Sequence, residues 1–465
     1  MNPARLAEPL AVLGAGVWVV GGAIRDALLD RPVLDVDLAV AGDADAAARA
    51  LARHMGATRF PLSAEFGAWR LSGGRLPWQV DITPLQGPGL TADLARRDLT
   101  VNAIAMPLVG GRELVDPHGG ERDLREGVVR AVGEAAFLDD PVRVMRAGRL
   151  AHELGFRVEP HTLALARAAA PGLWGASAER LRDELYRCVR DAHAHTALAA
   201  LDAVGALGVL VPQLEAGRGM TQTAYHHLDV LGHTLEVVRH AAEIAAHPEE
   251  VFRGNAAAVA EELAVPLADG LTGREALMLA ALLHDMAKPE TRTTLPDGRV
   301  GFPHHGRLGG ERAEELLERL RVARRVREHV VALVRDHLLL GFMVHRQPLG
   351  LVQVDRYLRA TDPARMGQLV LSVADRLATD GPRTTPPQIQ RHLDLARQVL
   401  SIHVSLRARG VIQPPVPGDE LARRVGREPG PWLARALARI REVQLVRTVT
   451  PESAVGIARE IAASD

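Results

Sequence analysis

One segment constrains this chain more than any other: Val17-Trp-Val-Val20 runs into Gly21-Gly22, and Asp35-Val-Asp37 follows shortly after. The apolar run predicts a strand that the glycines end. Ala23 to Leu29 predicts a short helix, Arg31-Pro32 a turn, and Val33 to Val40 a second strand of alternating character. Asp35 and Asp37 stand two apart on that strand. Both carboxylates therefore share one face, with Val36 and Leu38 on the other. Two adjacent carboxylates repel unless a cation lies between them, and oxygen ligands suit Mg²⁺ bound together with substrate phosphates. Gly21 and Gly22 let the backbone approach a phosphate, the helix behind them offers unpaired N–H groups, and Arg25 adds a charge-assisted contact. Either pair alone would fit a glycine turn beside solvated aspartates. Their joint spacing predicts a site for a nucleoside triphosphate and Mg²⁺, whose chemistry is attack of a hydroxyl on the α-phosphorus.

Further strands are expected at Ala68 to Leu71 and Trp78 to Ile82, joined through Gly73-Gly74. From about Pro141 long helical patterns rich in Ala, Leu and Arg take over. Apolar residues make up 47% of the chain and charged residues 24%, which excludes disordered and fibrous classes. The longest apolar run, Leu10 to Ile24, falls short of the roughly 20 residues a bilayer span needs and lacks a basic flank, so neither a membrane span nor secretion is expected. A single cysteine, Cys188, allows no intrachain disulfide and fits a reducing cytoplasm. A net charge of −1 supplies no global field for a polyanion, so any such site must come from local clustering. Lys288 is the only lysine among the 56 basic residues. The arginines suit bidentate phosphate contacts, although a GC-rich coding bias gives the same skew. Aromatics at 3% argue against a long stacking platform for single strands.

Four further motifs follow in order, making five in all. After the glycine turn and Asp35-Val-Asp37 come Arg96-Arg97-Asp98-Leu-Thr-Val-Asn102, Asp116-Pro-His-Gly-Gly-Glu-Arg-Asp123, Asp139-Asp140-Pro-Val-Arg143-Val-Met-Arg146-Ala-Gly-Arg149 and Ser177-Ala-Glu179-Arg180-Leu-Arg-Asp-Glu184. The series resembles the class II bacterial tRNA nucleotidyltransferase and poly(A) polymerase family of the polymerase-β-like superfamily. That resemblance implies an α/β nucleotidyltransferase head followed by an all-α neck, body and tail. The expected borders are 1–137 for the head, 138–210 for the neck, 211–350 for the body and 351–465 for the tail. It also implies that Arg96, Arg97, Asp98 and Asn102 bind the sugar and that 116–123 acts as a hinge. Asp140 and Arg143 would read the nucleobase, with Arg146 and Arg149 near the nucleotide. The physics of the pair agrees: a carboxylate accepts from an exocyclic amine and an arginine donates to ring acceptors, so cytosine and adenine are taken and uracil and guanine rejected. Position 139 is Asp where many members have Glu.

The stretch Pro84 to Ala92 is short. Family members that add a full CCA end carry a longer flexible loop here, associated with switching the pocket from CTP to ATP. Its shortness resembles members that add only two cytidines. The expected activity is therefore CC addition from CTP to tRNA lacking its 3′ end, with full CCA addition or poly(A) synthesis as the alternative. Asp81 is either a third carboxylate near the cation or an ordinary strand-end residue.

In the body, His233, then His284-Asp285, then Asp336 fall on predicted helices, with 51 residues on each side of the His-Asp pair. The pattern resembles the HD phosphohydrolase superfamily. Imidazole and carboxylate ligands suit a divalent metal of unspecified identity and leave positions open for water. Lys288 is placed to hold a phosphate. His304 and His305 either extend the site to a second metal or cap the surface. The resemblance implies phosphatase or cyclic phosphodiesterase action on nucleotide or tRNA 3′-end phosphates. A rival reading makes the chain an HD hydrolase whose head only binds RNA. The expected partners are tRNA and CTP, with ATP as the alternative nucleotide, and neither DNA nor membrane. Arg321 to Arg327 and Arg435 to Arg447 either contact tRNA phosphates or form solvated helix faces.

Overall fold

The computed structural model describes residues 3–63, 67–111 and 113–464. The chain divides into two compact units, Met1–Cys188 with Thr196–Pro212, and Val189–His195 with Gln213–Asp465.

The first unit is built on a six-stranded mixed sheet. Its strands are β1 (Val17–Val20), β2 (Asp35–Val40), β3 (Thr58–Ser63), β4 (Ala68–Ser72), β5 (Gln79–Pro84) and β6 (Ala105–Pro107). They lie in the order β3-β4-β5-β2-β1-β6. β1 and β2 are antiparallel with Val20 opposite Asp37, and β2 and β5 are parallel with Asp37 opposite Asp81. Val36 and Leu38 are buried beneath the sheet while Asp35 and Asp37 emerge on the other face, as the period-two reading requires. The Ala44–Met55 helix starts at Asp43, whose side chain accepts from the Asp45 and Ala46 amides, and it ends at Gly56 in the left-handed region. It sets Ala48, Leu51 and Met55 into the core. Each buried leucine of this kind contributes ~1.5–3 kcal/mol.

β3 and β6 are additions to the strands expected from the sequence. β3 carries exposed Phe60 and Leu62 around a central Pro61, so no inward alternation marks it. β6 is three residues long. The border expected at 137 runs through this unit rather than between units.

The second unit is helical. Helix Gly273–Leu283 is buried on every side from Ala276 to Leu283, the mark of a central helix. Thr272 caps it with Glu275 in a reciprocal box. Helices Val230–Ala246 and Arg365–Leu377 pack against it. Since Arg365–Leu377 belongs to this core, the border expected at 350 falls inside the unit. Helices Gly418–Val425, Pro431–Gln444 and Pro451–Ala463 gather around Trp432, Leu421, Ile440 and Ala454 in a smaller core of their own. Among the described residues no helix is long and apolar enough to cross a membrane. Cys188 is buried.

Candidate functional site

In the first unit four of the five motifs line one cleft. Gly21, at φ +74°, turns the chain from β1 into helix Gly22–Leu28. A Cβ there would lie 2.9 Å from Arg97 Nη1. Asp37 faces the cleft, open to solvent at its surface but enclosed by the cleft walls, and the desolvation they impose pushes its carboxyl up, with Asp81 and Asp35 adding to the rise and Arg97 and Arg70 opposing it. Gln79 Nε2 lies 3.2 Å from Asp35 Oδ1. Three acidic groups on one face with a raised carboxyl among them fit an oxygen-seeking divalent cation.

Asp26, Arg25, Asn102, Asp98, Arg146, Glu184 and Arg149 form one continuous hydrogen-bonded chain across four motifs. Arg25 donates to Asp26 at 2.9 Å and to Asn102 Oδ1 at 2.7 Å. Asn102 donates to Asp98 Oδ1 at 3.1 Å, and Asp98 Oδ2 accepts from Arg146 Nη1 at 3.1 Å. Arg146 Nε reaches Glu184 at 3.5 Å, and Glu184 accepts from Arg149 Nε at 2.6 Å. Burial works against the charge on Asp98, but Arg146, Asn102 and the Leu99 amide outweigh it and hold its pKa below the ordinary value. The hinge-like motif is tied in from below: Asp116 caps the Gly120 and Glu121 amides, and buried Asp123 accepts from Thr100 Oγ1 at 2.7 Å.

Three apart in sequence, Asp140 and Arg143 would share a face if both lay on one helix, but Asp140 precedes helix Val142–Leu154 in extended backbone. The two still meet, with Arg143 Nε 3.7 Å from Asp140 Oδ2. Arg143 also donates to the carbonyls of Arg96 and Ala136 at 2.7 and 3.1 Å, which fixes its plane. Arg180 donates to Asp140 Oδ2 at 2.5 Å, a partner the sequence reading did not assign. A cavity of 720 Å³ opens between Asp37, Arg97, Asp140, Arg143 and Arg180. A second, of 570 Å³, joins it at Asp37, Arg97, Asp98 and Arg146 and extends past Gly21, Gly22, Arg25 and Asp35. Arg97 Nε is buried there without a hydrogen-bond partner, as expected of a donor awaiting an anion. Arg96 is exposed at the edge of the first cavity and contributes its carbonyl to Arg143. Arg149 is buried and spends its donors on Glu184 and Glu153.

The second unit holds a cluster of imidazoles and carboxylates. His233 Nε2 lies 3.0 Å from Asp375 Oδ1 and 3.5 Å from Asp285 Oδ2, and His284 Nε2 lies 3.0 Å from Asp285 Oδ2. On its other side Asp285 Oδ1 faces His305 Nε2 at 3.4 Å and His337 Nε2 at 3.9 Å. His284, His305 and His337 each place Nδ1 within 2.7–2.9 Å of the carbonyl three residues earlier. That fixes Nδ1 as the donor and leaves Nε2 a lone pair, the tautomer that binds metals. His305 Nε2 and His337 Nε2 stand 3.2 Å apart. Two inward lone pairs at that range call for a cation between them. Burial holds His337 down to about 3 and His226 to about 3. Burial also opposes the charge of Asp285, yet His284 and Lys288 outweigh it and hold it well below the carboxylate range. Lys288 Nζ reaches Asp285 Oδ2 at 2.6 Å and donates to Gln222 Oε1 at 2.7 Å. Beside the cluster is a cavity of 480 Å³ lined by Tyr225, His226, Lys288, Phe302, Arg376 and Arg391.

Asp336, expected as the last ligand, is not in this cluster. It ends helix Arg324–Asp336 and accepts from Arg335 Nε at 3.0 Å. One residue on, His337 turns inward, because neighbours on a helix face directions about 100° apart. The second carboxylate is Asp375 of helix Arg365–Leu377. Like Asp285, it closes a run of buried residues, here Met366–Ala374, and that repeated signature was its available signal. His304 is exposed, at φ +61°, while His305 is buried and joins the cluster.

Comparison with known proteins gives matches along the chain. The family profile described as the poly A polymerase head domain matches residues 17–87 and 72–130. That described as a probable RNA and SrmB-binding site of polymerase A matches 155–217, and that of the HD domain matches 230–380, a span reaching both His233 and Asp375. The A-adding tRNA nucleotidyltransferase of Deinococcus radiodurans is 35% identical over 458 residues, covering 97% of this chain and 96% of that protein. The CC-adding tRNA nucleotidyltransferase of Geobacter sulfurreducens is 30% identical, covering 93% of this chain and 88% of that one. A multifunctional CCA protein of Xanthomonas campestris is 34% identical over 87% of this chain and 96% of its own length. A solved CCA-adding enzyme in complex with ATP shares the fold at a TM-score of 0.63 and 22% identity, covering 99% of this chain and 94% of that one. The chain therefore belongs to the tRNA nucleotidyltransferase and poly(A) polymerase family of enzymes, with a polymerase-type head and an HD domain.

Proposed function

We propose that the chain extends the 3′ end of tRNA from CTP and stops after two cytidines. The observation that carries this reading is the connection after β5. Only residues 85–89 separate Pro84 from the helix that begins at Leu90, and Gly87 and Gly89 lie within them. So short a link is held at both ends and has no length to reshape the pocket between two nucleotides. Asp35 and Asp37 would hold Mg²⁺, which when bound neutralises the triphosphate and favours the attacking hydroxylate. Arg97, with a free buried Nε, donates to the phosphate chain as pyrophosphate leaves. Asp140 accepts the exocyclic amine of the base, and Arg143, its plane set by backbone carbonyls, donates to the ring. Arg25, Asn102, Asp98 and Arg146 hold one another and so keep the sugar and phosphate subsites in register.

A second reading, addition of the terminal adenosine alone, draws support from the Deinococcus relative. Its 35% identity extends over nearly all of both chains. One experiment separates the two. The enzyme is given tRNA ending at its unextended 3′ position with CTP, and tRNA ending in CC with ATP, and products are sized. Two added cytidines with no adenosine fit the first reading; adenosine on the CC end with no cytidine fits the second and ends the first.

The second unit supports a separate hydrolytic activity. His233, His284, Asp285 and Asp375 would hold one divalent ion, and Asp285, His305 and His337 a second. Such ions supply Lewis acidity and an activated water to a phosphoester. Lys288 would steady the phosphate, and the 480 Å³ cavity is large enough for a nucleotide-sized ester. Hydrolysis of bis(p-nitrophenyl) phosphate with Mn²⁺, Ni²⁺ or Mg²⁺ tests the activity and identifies the effective ion.

A further inference from the structure

The sheet that carries the aspartate pair also carries two charges, Asp81 and Arg70, that the reaction described so far does not use. Asp37 on β2 is directly opposite Asp81 on β5, and Asp81 is directly opposite Arg70 on β4. Opposed residues on neighbouring strands share a face, so Asp37, Asp81 and Arg70 line up across three strands, with Asp35 two residues along from Asp37. Arg70 Nε donates to Asp81 Oδ1 at 2.7 Å and Nη2 to Oδ2 at 2.6 Å. The fork is bidentate and partly covered, with the side chains 30% and 17% exposed. Of three carboxylates on this face, one therefore carries a built-in cation that occupies both of its oxygens.

We propose that Arg70 sets the divalent-cation affinity of the head site by neutralising Asp81 and keeping it from the ion, so that Asp35 and Asp37 alone act as ligands. Arg70 is thus a positioning residue. The proposal rests on the reading of Asp35 and Asp37 as cation ligands. Strands lie ~4.8 Å apart, so the charge on Asp81 is close enough for a divalent ion at Asp37 to feel it strongly. If Asp81 were bare, the site would present three negative charges and grip the ion harder.

Binding of Mn²⁺ to the full-length protein without nucleotide, followed by electron paramagnetic resonance of the free ion, tests this without any catalytic readout. The head component is the part of the isotherm lost in the D35N/D37N double variant, which separates it from the histidine cluster. If D35N/D37N loses nothing, the ligand reading itself fails and this proposal with it. If it loses a component, R70Q is expected to lower the midpoint of that component about fivefold, as a partly screened unit charge at this range would. D81N, which leaves Arg70 without its partner, should raise the midpoint, and R70Q/D81N should return it close to wild type. R70K keeps the charge and should stay within about twofold of wild type, which also guards against a folding artefact in R70Q. A double variant as weak as D81N would mean that Asp81 is itself a ligand and overturns the proposal, as does an unmoved midpoint in R70Q or an R70K that tightens as R70Q does.

Discussion

Arg149 is 4% exposed between Glu184 and Glu153, to which it donates at 2.6 and 2.7 Å. Its place in the fourth motif assigned it to the nucleotide, and it does line the cleft, but its donors are committed to two carboxylates. Replacing it with leucine takes from buried Glu184 its closest counter-charge, leaving it Arg146 at 3.5 Å, and breaks the ion pair to partly exposed Glu153. R149L should lose about 3–5 kcal/mol of stability, read from urea unfolding, and E184Q/R149L should recover part of that loss. A second residue-scale effect concerns His329, which is buried beside Arg325. Burial, helped by that arginine, holds its pKa down to about 4. A histidine with a lowered folded pKa stabilises the protein fully above its unfolded value near 6.5 and loses that stabilisation as pH falls toward 4. Between pH 6.5 and 5 the loss from this group is about 1–2 kcal/mol, and H329L should flatten the stability–pH curve by that amount in unfolding at the two pH values. At this scale the sequence marked residue types well and directions poorly. The step from Asp336 to His337 is one residue, yet it decides which side chain enters the cluster. Equal spacing along the chain carries no information about helix phase, whereas an acid closing a buried run does.

Helix Val142–Leu154 carries Arg143, Arg146 and Arg149 together, so its seating governs the pocket. Gly148 is what lets it sit close: a Cβ there would lie 2.7 Å from the Ala200 carbonyl and 3.0 Å from Val204. The obstacle is backbone, which cannot swing aside as a side chain would. G148A should therefore cost about 1–3 kcal/mol and displace the helix. The KM for CTP should rise more than kcat falls, because Asp140 stands outside the helix while Arg143 moves with it. Thermal unfolding and steady-state kinetics on the same preparation check both halves, and an unchanged KM would show that the helix does not position the base. Elements with a clean pattern were legible in advance: β1 from its unbroken apolar run, β2 from its alternation, and the helix that carries His233, which the structure extends over Val230–Ala246. β3 and β6 were not, since one faces outward around a proline and the other is too short to show a period. The start of the helix at Val142 was hidden because a proline at 141 suits a first turn as well as a loop.

Across the whole molecule, each candidate centre draws its side chains from one unit. Asp35, Asp37, Asp98 and Arg143 belong to the first, and His233, His284, Asp285 and Asp375 to the second. The borders of these units were only partly readable, because Ala- and Arg-rich helices look alike on either side of 350. Only packing shows that Arg365–Leu377 completes the histidine cluster. The division of ligands makes the two chemistries separable by substitution. D35A/D37A should reduce CMP incorporation into tRNA by about a thousandfold or more, since the transition-state charge loses its counter-ion. The same variant should hydrolyse bis(p-nitrophenyl) phosphate at the wild-type rate and keep the wild-type far-UV spectrum. H284A/D285A should do the reverse, losing hydrolysis and metal bound at the cluster while CMP incorporation stays within about twofold. If D35A/D37A still extends tRNA, the head is a binding module and the transferase chemistry lies elsewhere. If H284A/D285A instead loses incorporation with its fold intact, the two centres act on one substrate in sequence rather than independently.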